Sequence, residues 1–188
     1  MYYDLAIVGG GAAGMMAAIS ACDNHPDWKI VVIEKNPALG RKILVTGAGR
    51  CNLTNINLAT HGEEHYNQPA FVKKVLAQFG YKEIMNFFTD LGLKLVEEKK
   101  NNTGKIFPVS DQASSVVDLL NDAVVTRGVR VENETICKEI KNNGKQFGLS
   151  LHSVDKNWGL TAGKIILAAG GKTYPALGAD GSGYILAE

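Results

Sequence analysis

Residues 3–34 read YDLAIVGGGAAGMMAAISACDNHPDWKIVVIE. The stretch begins with six mostly apolar residues, 3–8, and ends with a second apolar run over 29–34. Short apolar runs stopped by glycine predict buried strands. Between them, 12–24 is rich in small residues and predicts a helix. Strand, helix, strand implies a parallel pair joined by a right-handed crossover. Gly9, Gly11 and Gly14 fit G-x-G-x-x-G between the first strand and the helix, which is the context that gives this common pattern meaning. Gly9 permits the tight turn, Gly11 lets backbone approach a pyrophosphate, and Gly14 lets the helix pack close to the sheet. The amides around Ala12 and Ala13, at the positive end of the helix, face the phosphates.

Glu34 closes the stretch, twenty positions after Gly14. That is the spacing of an acid that accepts hydrogen bonds from an adenosine ribose and repels a 2′-phosphate. Glycines and acid together predict a dinucleotide site, but they do not separate NAD from FAD. The next residues bear on that choice. Lys35 follows the acid, and GRKILVTGAGRCNLTN (40–55) carries Arg41, Lys42, Thr46, Gly47, Gly49, Arg50, Cys51 and Asn52. Such a loop supplies backbone donors and positive charge, which a longer cofactor such as FAD would use. An ordinary polar loop with Arg50 in solvent is the alternative. Ala169, Gly170 and Gly171 follow another apolar run, 164–170, expected to be a strand buried on both faces. Ligands bind at such carboxyl ends in open α/β sheets. Gly181 and Gly183 precede a further helix start, a second candidate anion site.

Elsewhere the pattern predicts two helices, with Phe71, Val72, Val75, Leu76 and Phe79 on one core face and Ile84, Phe87, Phe88 and Leu91 on another. A polar turn is expected over 97–105. Ser110 is placed to cap a helix over 111–126 that faces Val116, Val117, Leu120, Ala123 and Val124 inward and ends at Gly128. Residues 129–133 predict a strand. A hairpin then turns at 141–145, and another turn is expected at 155–159. The fold class is therefore α/β: a Rossmann-like domain with a small antiparallel meander.

Composition narrows the function. The 188 residues are 45% apolar and carry a net charge of +1. That suits a globular domain and gives no electrostatic case for nucleic acid or an anionic membrane. Cys22, Cys51 and Cys137 are scattered, without metal or disulfide spacing, and suit reduced thiols in the cytoplasm. Arg50 beside Cys51 could lower that thiol's pKa, although a small buried cysteine is the default. His25, His61, His65 and His152 show no ligand spacing. The start lacks the basic region of a signal peptide, and no run spans a bilayer. N-x-T matches at Asn52, Asn101 and Asn133 are therefore read as chance.

AIVGGGAAGMMAA, EKNPALGRKILVTGAGRCNLTN, GKIFPVSDQASSVVDLL and ILAAGGKTYPALGADGSGYILAE together resemble the BaiN/RdsA-type, aminoacetone oxidase-like FAD-dependent oxidoreductases. The likeness extends over essentially the whole chain. It implies a glutathione reductase-like FAD domain over 1–188, with Gly9, Gly11 and Gly14 at the pyrophosphate and Glu34 at the ribose. It also implies backbone near Cys137 beside the adenine, and the flavin between the GRCN loop and later segments. Family members are longer, so the chain resembles an N-terminal portion that lacks the middle and C-terminal segments and would turn over little alone. A small-molecule substrate is expected, with NAD(P)H as a candidate electron donor in the full-length protein; no catalytic acid or base is identifiable and the oligomeric state is not readable. Two alternatives remain: an NAD-binding dehydrogenase module, and a noncatalytic FAD-binding or interaction module.

Overall fold

The computed structural model describes residues 1–60, 62–99 and 103–188. His61, the N-x-T match at Asn101 and the middle of the polar turn 97–105 lie outside the described residues. In chain order the strands and α-helices are β1 Tyr2–Val8, α1 Ala12–Asn24, β2 Ile30–Ile33, β3 Thr54–Asn55, α2 Pro69–Leu76, α3 Tyr81–Asp90, β4 Leu95–Glu97, β5 Lys105–Pro108, α4 Ala113–Thr126, β6 Arg130–Glu132, β7 Ile136–Asn142, β8 Phe147–His152, β9 Asn157–Leu167 and α5 Ser182–Ala187. The chain divides into two compact units. One comprises Met1–Ile43 and Leu120–Glu188, the other Leu44–Leu119, with the division falling inside α4.

The first unit is built on a six-stranded sheet in the order β6-β2-β1-β9-β8-β7. β6, β2, β1 and β9 run parallel; β9, β8 and β7 form the antiparallel meander. The predicted βαβ unit is present, and α1 spans the expected residues. β1 and β2 are interior strands of the parallel part, where strands covered on both faces must be apolar throughout. Ala6, Ile7, Val31 and Val32 are wholly buried. One sheet face carries Ala6, Val8, Val31 and Ile33 with Leu149 and Leu151 of the meander. α1 packs on β1 and β2 through buried Gly14, Met15, Ala18 and Ile19.

β9 departs from expectation. The sequence predicts a turn at 155–159 and a doubly buried strand over 164–170, yet one strand runs from Asn157 to Leu167. Its first half pairs with β8 and its second half with β1, so two partners hold a single long strand. The turn lies earlier, closed by Ser153 N–H donating to the Lys156 carbonyl at 2.9 Å. Ile166 and Leu167 are 37% and 39% exposed, so the end of this strand is not buried on both faces.

In the second unit, β3, β5 and β4 form a small antiparallel sheet that the sequence reading missed. The helices are where the periodicity puts them, but the core face assigned to α2 is not buried. Phe71 is 70% exposed, Val75 54% and Phe79 41%. α2 lies beside the 3-10 turn Gly62–His65. That contact uses a narrow stripe including Leu76, which abuts Gly62. α3 does bury Phe88, with Phe87 edge-on to it at 5.1 Å. α4 begins at Ala113, later than predicted. Ser110 Oγ accepts from Gln112 N–H at 3.4 Å and so shapes the preceding turn instead of capping the helix. The inward face predicted for α4 is buried at all five positions.

Stability should follow the central strands. Ile7→Ala should cost about 2–5 kcal/mol by urea denaturation, because a wholly buried side chain leaves a cavity. Val154→Ala, at a position 88% exposed, should change it by less than about 0.5 kcal/mol.

Candidate functional site

The turn between β1 and α1 is where parallel strands end and a helix begins. Gly9 N–H donates to the Ile33 carbonyl at 2.8 Å, and Ala168 N–H donates to the Val8 carbonyl at 2.7 Å. The turn is thereby tied to the ends of β2 and β9. The glycines differ in why they are glycine. Gly9 has φ +108, and a Cβ there would overlap the Ala168 carbonyl. A Cβ at Gly10 would strike Leu39, and one at Gly14 would overlap the Gly9 carbonyl. The fold itself therefore requires glycine at Gly9 and Gly14, where the overlap is with backbone, whereas at Gly10 it is with the end of the Leu39 side chain.

Gly11 is different. Its φ of −76° is open to any residue, and a Cβ there would meet nothing within 4 Å. It caps α1, which has neither a side-chain cap nor an acidic residue in its first turn. Ala12 and Ala13 are exposed. Helix geometry leaves the first-turn amides without intrahelical acceptors. Gly11 thus keeps a clear approach to unused donors at the positive end of a helix.

Glu34 is buried beside this turn at 7% exposure. Its Oε2 accepts from Gly10 N–H at 2.7 Å, and its Oε1 accepts from Asn36 N–H at 2.8 Å and Asn36 Nδ2 at 2.6 Å. A carboxylate has about four acceptor positions, so three donors leave capacity for one more. Arg41 Nη1 donates to Asn36 Oδ1 at 3.0 Å, extending the chain of contacts. The sequence reading missed Gly10 and Asn36. Gly10 was passed over as the variable residue of G-x-G; Asn36 carried no signal beyond lying two residues after the acid.

The remaining candidates of this unit gather near the ends of the same strands. Thr135 N–H donates to the Glu34 carbonyl at 2.9 Å and Glu134 N–H to the Asn36 carbonyl at 3.1 Å. The backbone leading to Cys137 therefore runs beside the acid. The Cys137 thiol is buried, and burial pushes its pKa up to about 11. Ala169, Gly170 and Gly171 follow β9, with Gly170 at φ +76. Lys42 Nζ donates to Thr173 Oγ1 at 3.1 Å, and Lys35 pairs with Asp180 at 2.6 Å. The hydrogen bond from Lys35 holds the Asp180 carboxyl well below the usual carboxylate range. Asp180 Oδ1 also accepts from Ser182 N–H at 3.0 Å. The six-residue helix α5 thus has its own carboxylate at its start, on the Ser182 amide of the predicted second anion site.

The 46–52 loop belongs to the other unit. A kink falls within the 3-10 segment Ile43–Gly49, and Gly47, Ala48, Gly49 and Cys51 all have positive φ. Thr46 and Asn52 are exposed; Cys51 is buried. Burial raises the Cys51 pKa, partly offset by a hydrogen bond with Thr46. Cys51 is therefore not an activated thiol. Arg50 lies over the Phe107 ring and pairs with Glu98 at 2.9 Å.

The profile of the HI0933-like protein Rossmann domain matches residues 3–188. The chain is 40% identical over 187 residues to a 3-dehydro-bile acid delta(4,6)-reductase of Clostridium scindens, covering 98% of this chain and 43% of that protein. It is 31% identical over 188 residues to a ribosomal RNA dihydrouridine synthase of Escherichia coli, covering 99% of this chain and 44% of that protein. The chain thus spans less than half the length of these relatives. Among solved structures, a 3-ketosteroid-delta4-(5alpha)-dehydrogenase of Rhodococcus jostii superimposes with a TM-score of 0.64 at 14% identity, over 92% of this chain and 47% of that one. This likeness concerns the fold. Among the described residues, no helix is long and apolar enough to cross a membrane.

Glu34→Ala removes the acceptor of three donors, one of them the buried Gly10 amide. Leaving a buried donor unsatisfied should cost about 1–3 kcal/mol in urea denaturation of the cofactor-free protein. A variant as stable as wild type would show that this contact does not hold the turn.

Proposed function

The chain belongs to the HI0933-like family as its Rossmann-type FAD-binding domain, and on that premise we propose that the whole protein is a flavin-dependent oxidoreductase. The observation that carries the reading is Gly11. Glycine there answers no demand of the fold, since the backbone angle is ordinary and the Cβ position is open. Glycine at such a place is explained by a ligand that must come against the backbone. Gly11, Ala12 and Ala13 offer amide donors to a pyrophosphate, and Glu34 offers its remaining acceptor capacity to a ribose hydroxyl. Asn36 and Gly10 hold that carboxylate in place. FAD supplies N5 as the hydride acceptor when bound. On the resemblance, residues 46–52 contribute cofactor contacts, with Ala169, Gly170 and Gly171 supplying others; Lys35, Arg41, Lys42 and the backbone near Cys137 are carried as candidates.

The curated relatives are named for different substrates, one a bile acid and the other ribosomal RNA. We favour a small-molecule substrate, on the higher identity to the former and the net charge of +1. NAD(P)H is proposed as electron donor. A cytoplasmic location is proposed from three free cysteines without disulfide spacing. Because the relatives are more than twice as long, residues 1–188 alone should turn over little.

Denaturing the purified full-length gene product should release FAD, identified by mass spectrometry of the supernatant. Recovery of NAD alone, or of no dinucleotide, contradicts the assignment. Gly11→Val should remain within about 1 kcal/mol of wild-type stability, the modest cost of an apolar N-cap, yet lose FAD binding. Gly14→Ala should be destabilised outright, because its Cβ overlaps the Gly9 carbonyl.

A further inference from the structure

The 46–52 loop holds a backbone that L-residues rarely adopt. Ala48 at φ +57 and Cys51 at φ +60 lie in the left-handed region beside Gly47 and Gly49. Such conformations persist only where their surroundings over-determine them. Two hydrogen bonds close the turn: Cys51 N–H to the Thr46 carbonyl at 3.0 Å, and Arg50 N–H to the Gly47 carbonyl at 3.3 Å. Neither ties the loop to the sheet of its own unit, which the chain meets just after the loop, where Leu53 N–H donates to the Ile106 carbonyl of β5 at 2.9 Å.

Arg50 does so. Its guanidinium lies 4.1 Å from the centre of the Phe107 ring. Its Nη2 donates to Glu98 Oε1 at 2.9 Å, and its Nη1 reaches Asp111 Oδ1 at 3.5 Å. The second Glu98 oxygen accepts from Thr103 Oγ1 at 2.9 Å, so this carboxylate is held from both sides. Phe107 is 2% exposed and fixed in β5. The same ring lies 3.0 Å from where a Gly47 Cβ would be. One aromatic side chain therefore backs both the left-handed glycine and the arginine. With two carboxylates on it, Arg50 is poorly suited to serve as a free positive charge for a phosphate.

We infer that Glu98 and Phe107 are positioning residues, which act through Arg50 to hold the 46–52 loop in its left-handed form for the cofactor. The inference rests on the proposal that this loop contacts FAD. Planarity matters to it, because a guanidinium lying over the Phe107 ring fixes the directions of Nη1 and Nη2 toward Asp111 and Glu98, whereas an ammonium over a ring has no such rigid set of donors.

The test uses Glu98→Gln and Arg50→Lys in the full-length gene product. Hydrogen–deuterium exchange of the 46–53 amides is measured without FAD, with α1 amides as internal reference. Exchange in the loop should quicken about tenfold in both variants, the factor for weakening one hydrogen bond to a charged group, while α1 is unchanged. Affinity for added FAD should fall by a similar factor, with a shift in the visible spectrum of the bound flavin. Unchanged loop exchange in Glu98→Gln overturns the clamp, and wild-type exchange in Arg50→Lys overturns its planar form. Faster exchange with unaltered FAD affinity and spectrum overturns the positioning role but leaves the glycine turn untouched, since Gly11→Val tests that turn separately. A wild-type protein that takes up no FAD overturns both readings.

Discussion

The hydrogen bond from Gly10 N–H to the Glu34 carboxylate joins the two strand ends on which the site is built. It is 2.7 Å long and buried. Glu34 is in turn fixed by both donors of Asn36, and its backbone connects to Glu132 and Thr135 at the edge of β6. A buried carboxylate is tolerated only where hydrogen bonds compensate its lost hydration. Here the compensating donors include the glycine turn, so the requirement to satisfy Glu34 also fixes the path of the chain into α1. That path leaves Gly11 uncovered. Sheet, acid and helix start form one connected arrangement.

The βαβ core was legible because burial on both faces leaves few choices: β1 and β2 read as unbroken apolar runs, and glycines mark where they stop. The meander was legible from turn residues. β9 was misread because Lys156 and Gly159 look like one turn locally, although pairing with β8 carries the strand through Gly159. β3, β4 and β5 escaped notice because they have two to four residues each, too few for a period to show. α2 has an amphipathic pattern, but periodicity says only which side is apolar. Phe71 and Val75 show that it does not say whether anything covers that side.

At the site, residue type and spacing located Gly9, Gly11, Gly14 and Glu34 but could not separate their roles. Three-dimensional placement makes Gly9 and Gly14 requirements of packing and leaves Gly11 as the one explained by a ligand. Asn36, Glu98 and Phe107 were illegible because each works on a neighbour: Asn36 on the adjacent acid, the other two on Arg50 from 48 and 57 positions away in the chain. Arg50 itself was read as a free cation because a loop sequence does not reveal its counter-ions.

The central claim is that the amides at Gly11, Ala12 and Ala13 receive the cofactor's phosphates. Its most direct test is an amide NMR titration of the full-length gene product, stripped of cofactor and labelled with 15N at glycine and alanine. Saturating FAD should shift the Gly11, Ala12 and Ala13 resonances strongly and leave Gly128, beyond α4, in place. Saturation that leaves those three resonances unmoved would contradict the account.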